Sequence, residues 1–159
     1  MNTILLGTTF QAILSELAEI YDVKRPSLQN MKFDRKQKMS DAAGTYYPCA
    51  ENSRGHIVLR HFRGMQKADI SYTLFHEFAH HIHSGRHGEK FEKVVISIIE
   101  TYLSEGKLQK GASIARAALR VAQKRCGRYA AWKIVRAQQK AEWDAAMKQL
   151  KPGQDSILL

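Results

Sequence analysis

Residues 76–80 read His-Glu-Phe-Ala-His, the HExxH pattern. On a helix, positions i and i+4 lie on one face. Two imidazoles so placed can grip one Zn²⁺ at about 2.0–2.1 Å. Glu77, beside the first of them, can take the proton of an attacking water and so act as general base in metal-assisted hydrolysis. Leu74, Phe75, Phe78, Ala79 and Ile82 surround the pair, which supplies the apolar, buried setting that a zinc-binding helix needs.

A catalytic zinc usually takes a third protein ligand. His81 points about 100° away from His80 on a helix, so it cannot join the pair. His83 is on the right face but lies about 10 Å along a straight helix from His76. Both are expected to be surface bystanders. His87 follows Gly85, where the helix can break and let the chain return to the metal. Glu100, on the next helical segment, is the alternative and would give a two-histidine, one-glutamate site. His56 and His61 read as strand residues that could line a cleft, and Tyr46-Tyr47 as strand packing.

These groups require an α+β scaffold. Phe10, Ile13, Leu14, Leu17 and Ile20 recur at helical spacing and predict a first helix over 8–22. A strand fragment at Met31–Phe33, a short strand in "GTYYPCA", a turn at "ENSRG" and an alternating β-branched strand "HIVLRHF" predict a small antiparallel sheet. Asp69 or Ser71 could cap the metal-binding helix, which should run to Gly85. A following helix carries Phe91, Val94, Val95, Ile98 and Leu103 on one side. Beyond Gly106, two alanine-rich helices split at Gly127 are expected, the second closed by Pro152-Gly153, with Trp132, Val135, Gln139, Trp143, Met147 and Leu150 as a packing seam. The organisation expected is therefore a core over 1–105, a basic helical extension over 106–151 and a tail over 152–159.

Charge divides the chain in the same place. The net charge of +10 is carried by residues 106–151, which hold 12 Lys/Arg against two acids, Glu142 and Asp144. Residues 1–105 are nearly neutral, with 13 Lys/Arg and 12 Asp/Glu. Arg116, Arg120, Lys124 and Arg128 form one stripe, and Lys133, Arg136 and Lys140 a second. Such stripes can neutralise nucleic-acid phosphates, while a solvated or protein-contacting face is the plainer alternative. Two distant cysteines, Cys49 and Cys126, make neither a CxxC pair nor a disulfide framework, and a reducing, cytoplasmic setting follows as the expectation. No stretch reaches the about 20 apolar residues of a membrane span.

The run "HEFAHHIHSGRHGEKF" resembles the SprT-like (Spartan-related) zincin metalloproteases, in which HExxH is followed by a third histidine in an HGxxF or HGxxW context, here His87-Gly88-Glu89-Lys90-Phe91. "AAGTYYP…GHIVLRHF" is similar to that family's glycine-led strand pair. The resemblance spans roughly residues 8–105. It implies a minimal zincin core with Zn²⁺ on His76, His80 and His87 and Glu77 as general base. It also implies a protein substrate associated with DNA. In zincins an edge strand before the active helix commonly receives the substrate as an added strand, a role this reading gives to "HIVLRHF". Only Cys126 follows the core, so the four-cysteine zinc ribbon of many SprT-like proteins is not expected here, and small phage and bacterial metallohydrolases carry a similar short HExxH…HG motif. Two alternatives stand beside this reading: a zinc peptidase of phage or mobile-element type that cleaves a repressor or other regulator, and a non-enzymatic DNA-binding module with a structural metal.

Overall fold

A computed structural model describes residues 3–48 and 54–150. Cys49, most of the expected turn (51–53), and the 152–159 tail with Pro152-Gly153 lie outside the described residues. In chain order the elements are α1 (Thr3–Ile20), β1 (Ser27–Lys36), β2 (Gly44–Tyr47), β3 (His56–Arg63), α2 (Lys67–Ile82), α3 (Glu89–Glu105) and α4 (Gln109–Gln149). This is the expected α+β class, with four helices and one three-stranded sheet among the described residues.

The sheet is mixed rather than antiparallel. Its order is β1-β3-β2, with β1 parallel and β2 antiparallel to β3. Alternation along a strand identifies its faces but is blind to its direction, so the parallel pair was invisible to the pattern. The run Ile57-Val58-Leu59 is buried at every residue, as befits a strand enclosed on both faces. That makes β3 the central strand. It is paired on both sides and cannot accept a further strand, so "HIVLRHF" is not the substrate ledge. β1 is also longer than the fragment expected around Met31–Phe33.

α2 is buried from Ile70 through Ala79. It is wedged against β2, β3, α3 and α4, and so it buries polar residues (Ser71, Thr73, His76 and Glu77) along with its apolar ones. Its interior hydroxyls are satisfied locally: Ser71 Oγ donates to Lys67 O at 2.8 Å and Thr73 Oγ1 to Asp69 O at 2.7 Å. Neither Asp69 nor Ser71 caps the helix; Gln66 occupies the cap, without a side-chain bond, and Asp69 lies in the first turn. The helix ends at Ile82, where His83 turns extended (φ −140°). Gly85 therefore does not make the break.

One core joins α1 (Phe10, Ile13, Leu14, Leu17), β3, α2, α3 (Phe91, Val95, Ile98, Ile99, Tyr102) and the first turns of α4 (Ile114, Ala115, Ala118, Ala122). The basic segment thus enters the same core before it leaves it. It is one helix of 41 residues, not two split at Gly127. A glycine in a helix costs only about 1 kcal/mol relative to alanine, and the flanking Ala, Arg, Lys and Gln are strong helix formers. From residue 131 almost every position is exposed. Trp132, Val135 and Trp143 are 57%, 47% and 58% exposed, so the expected seam covers nothing among the described residues. Among the described residues, no helix is long and apolar enough to cross a membrane.

Candidate metal centre

The i/i+4 spacing on α2 brings His76 and His80 to one side, with their Nε2 atoms 3.3 Å apart. The chain then leaves the helix at His83, loops through 84–88 and re-enters as α3. Gly88, at φ 156°, caps that helix, in a conformation side chains rarely adopt. His87, one residue earlier, turns its Nε2 back to within 3.1 Å of His76 and 2.9 Å of His80. Phe91 backs the cluster, its ring centroid 5.0 Å from that of His76 and 4.4 Å from that of His80.

This donor set fits a metal. Four-coordinate zinc at about 2.0–2.1 Å separates neighbouring nitrogens by about 3.3 Å, close to the spacings found. Three Nε2 atoms facing one another cannot all be satisfied by sharing protons, whereas three lone pairs aimed at one cation are. Among the described residues this is the one group of histidines, cysteines and acids arranged so. Burial is the largest influence on His76, whose pKa is pushed down to about 3, with the neighbouring His80 and His87 adding to it. His80 is lowered as well, by burial first and then by His87. Neutral imidazoles are what a metal requires.

Glu77 is 5% exposed and points into the same cleft, a space of about 350 Å³ lined by Gly44, Tyr72, Thr73, His76, Glu77, His87 and Arg125. Burial raises its pKa to about 7, opposed by the charge of Arg60 and a hydrogen bond from the Tyr46 backbone. The group that presses on Glu77 is the edge strand β2. Gly44 begins that strand, and a side chain there would collide with Thr73 and Glu77.

The remaining candidates separate clearly. Glu100 is exposed on α3 and outside the cluster. His83 is exposed at the helix cap, its ring 6.5 Å from Phe91. His81 is outside the cluster as expected, yet it is no idle surface group. Its Nε2 lies 2.8 Å from the Lys24 carbonyl and its Nδ1 2.9 Å from the Tyr46 hydroxyl, so it pins α2 to β2 and to the segment before β1. Tyr46 is committed there rather than facing the cluster. His56 and His61 bond to β1 side chains, Ser27 at 2.6 Å and Asn30 at 3.0 Å.

Three site residues had no place in the sequence reading. His76 Nδ1 is 2.8 Å from the Tyr72 hydroxyl, which is 2.6 Å from Glu92 Oε1. Arg125 Nε is 3.4 Å from the same oxygen, and its guanidinium carbon is 4.9 Å from the Tyr72 ring centroid. Tyr72 lies four residues before His76, on the same helical face, and that spacing was the signal available. Glu92 and Arg125 gave none, because charged residues on amphipathic helices read as solvent-facing.

Arg116, Arg120, Lys124, Arg128, Lys133, Arg136 and Lys140 are all exposed along α4. Lys133 pairs with Glu89 at 3.8 Å and Lys140 with Asp144 at 2.6 Å. Between α4 and the His87–Glu89 loop runs a groove of about 670 Å³ walled by Tyr129, Trp132, Lys133, Arg136 and Lys140. The Arg136 guanidinium carbon lies 4.4 Å from the Trp132 ring. The stripe of Lys133, Arg136 and Lys140 therefore borders the histidine cluster at His87. Compared with protein-family models, curated proteins and solved structures, the chain matches none.

Proposed function

We propose that this chain is a zinc-dependent metallopeptidase of SprT-like type that hydrolyses peptide bonds in DNA-associated proteins. The observation that carries the reading is the convergence of three Nε2 atoms within 3.3 Å of one another beside a buried glutamate in an open cleft. A structural metal has no use for that carboxylate.

Zn²⁺ on His76, His80 and His87 would supply a Lewis acid that polarises the scissile carbonyl and acidifies the attacking water. The protein's own groups do the rest. Glu77 accepts the water's proton and delivers it to the departing amine nitrogen. Its buried carboxyl, pushed up to about 7, can hold that proton near neutral pH, and a bound cation would draw the value down. β2 is the sheet edge beside Glu77, and it suits a substrate segment added as a further strand. The exposed cations and Trp132 of α4 suit a nucleic acid lying along the neighbouring groove.

Measurement of bound zinc and of proteolysis of an unfolded protein, with and without DNA, tests this in wild type and Glu77→Gln. One zinc in each protein, with cleavage only in the wild type, is the expected result. A wild type that holds no zinc would overturn the reading.

A further inference from the structure

We propose that Tyr72 is a positioning residue for the metal site, its hydroxyl held by Glu92 and Arg125 so that His76 is locked with its proton on Nδ1 and its lone pair on Nε2. The inference rests on the metal-binding reading of His76, His80 and His87. It does not depend on what the site hydrolyses.

The argument is a proton count. A tyrosine hydroxyl has one proton to give and lone pairs to accept with. Glu92 Oε1 lies 2.6 Å from it and takes that proton. Were the proton turned toward His76 instead, two oxygens 2.6 Å apart would face each other through lone pairs. Arg125 Nε donates to the same carboxylate oxygen at 3.4 Å, so that oxygen faces donors from both sides. The hydroxyl oxygen is then an acceptor for His76 Nδ1 at 2.8 Å, and an acceptor there requires Nδ1–H. Nε2, the atom facing His80 and His87, is left bare.

Placement reinforces the order of the chain. Glu92 is 1% exposed, and its Oε1 accepts from both Tyr72 and Arg125. Arg125 also lies over the Tyr72 ring, in the position of a cation–π contact. Three elements therefore converge on one imidazole nitrogen: α2 supplies both His76 and Tyr72, α3 supplies Glu92, and α4 supplies Arg125. Ligand histidines commonly donate their second N–H to an oriented acceptor, and removing that acceptor typically lowers metal affinity by about 10–100-fold.

The test is zinc affinity by chelator competition, together with the ¹⁵N and ¹H signals of the His76 ring in the zinc-loaded protein. Tyr72→Phe keeps the ring and removes the acceptor. The expected result is a zinc affinity lower by about 10–100-fold, with the Nδ1–H signal of His76 lost to exchange or strongly shifted. Glu92→Gln retains an acceptor for the hydroxyl and is expected to lose less. A Tyr72→Phe protein with wild-type affinity and an unchanged His76 signal overturns this proposal and leaves the metal site standing. A wild type that binds no zinc overturns both.

Discussion

A Cβ placed on Gly44 would lie 2.7 Å from Glu77 Oε1 and 2.5 Å from Thr73 Cγ2. The edge strand and the candidate general base are thus in contact with no room for a methyl group, and the glycine is required by proximity rather than by backbone conformation. Gly44→Ala must move β2 outward or displace the Thr73 and Glu77 side chains. A misplacement of about 1 Å at a catalytic group can cost about 100-fold in rate. The expected outcome is a kcat/KM lower by one to two orders of magnitude, with zinc content unchanged, since the atoms nearest an added Cβ belong to Thr73 and Glu77 rather than to a histidine of the cluster. Retention of full activity would show that β2 does not set the position of Glu77.

The third-ligand assignment is tested by a matched pair. His87 Nε2 stands within 3.1 Å of the Nε2 atoms of both His76 and His80, whereas Glu100 is exposed on α3. His87→Ala should lower zinc affinity by more than the about 100-fold that bounds loss of a supporting group. Glu100→Gln should leave affinity unchanged. Chelator competition on both variants decides, and the reverse ranking would restore the glutamate alternative.

Acid should unfold the metal-free protein through the same histidines. His76 has its pKa pushed down by burial from 6.5 to about 3, and His80 and His61 are lowered by burial as well. Between those values the unfolded chain binds more protons than the folded one, so stability rises with pH. The contribution is complete above the ordinary histidine value and is lost as pH falls toward about 3. Urea titrations of metal-free protein between about pH 7 and about pH 4 should show falling stability, and His76→Gln should flatten the slope. An unchanged slope would mean that His76 is not held neutral by its surroundings.

The parts of this molecule that could be read from sequence are those set by a fixed geometry. The i/i+4 relation of His76 and His80 needs nothing but a helix, and a loop between two helices suffices to return His87. The parts that could not be read depend on direction or on partners distant in sequence. Nothing in β1 announces that it runs parallel to β3, although the unbroken burial of Ile57, Val58 and Leu59 has a sequence counterpart in their uninterrupted apolar run, a mark of a central strand. Gly127 looked like a stop because glycine often is one, but a long helix of favourable residues absorbs it. Glu92 was hidden because a charge reads as exposed until the hydroxyl and guanidinium that receive it are known.

Continuity of α4 has its own signature. Gly127 is exposed, and an added Cβ there would meet nothing within 4 Å. Replacing such a helical glycine with alanine should stabilise by about 0.5–1 kcal/mol, seen as a small rise in melting temperature. A turn at Gly127 would give the opposite sign, because alanine would then be forced into a conformation it resists.

The same continuous helix makes a quantitative statement about nucleic acid. Arg116, Arg120, Lys124 and Arg128 climb one side of α4, and Lys133, Arg136 and Lys140 follow toward its far end, beside Trp132 and the groove that opens at His87. Each phosphate neutralised should contribute a salt-dependence slope of about −0.7 on single strands and about −0.9 on duplex DNA. Reversing Lys133, Arg136 and Lys140 to glutamate together should weaken binding and shallow the slope by about 2–3. Trp132→Ala should weaken single-strand binding by about 1–3 kcal/mol and leave the slope nearly unchanged, because stacking releases no counterions. Gel-shift or anisotropy titrations in rising salt separate the two effects. Unshifted DNA at low salt would remove nucleic acid as the partner of this face and leave the cations as a solvated or protein-contacting surface.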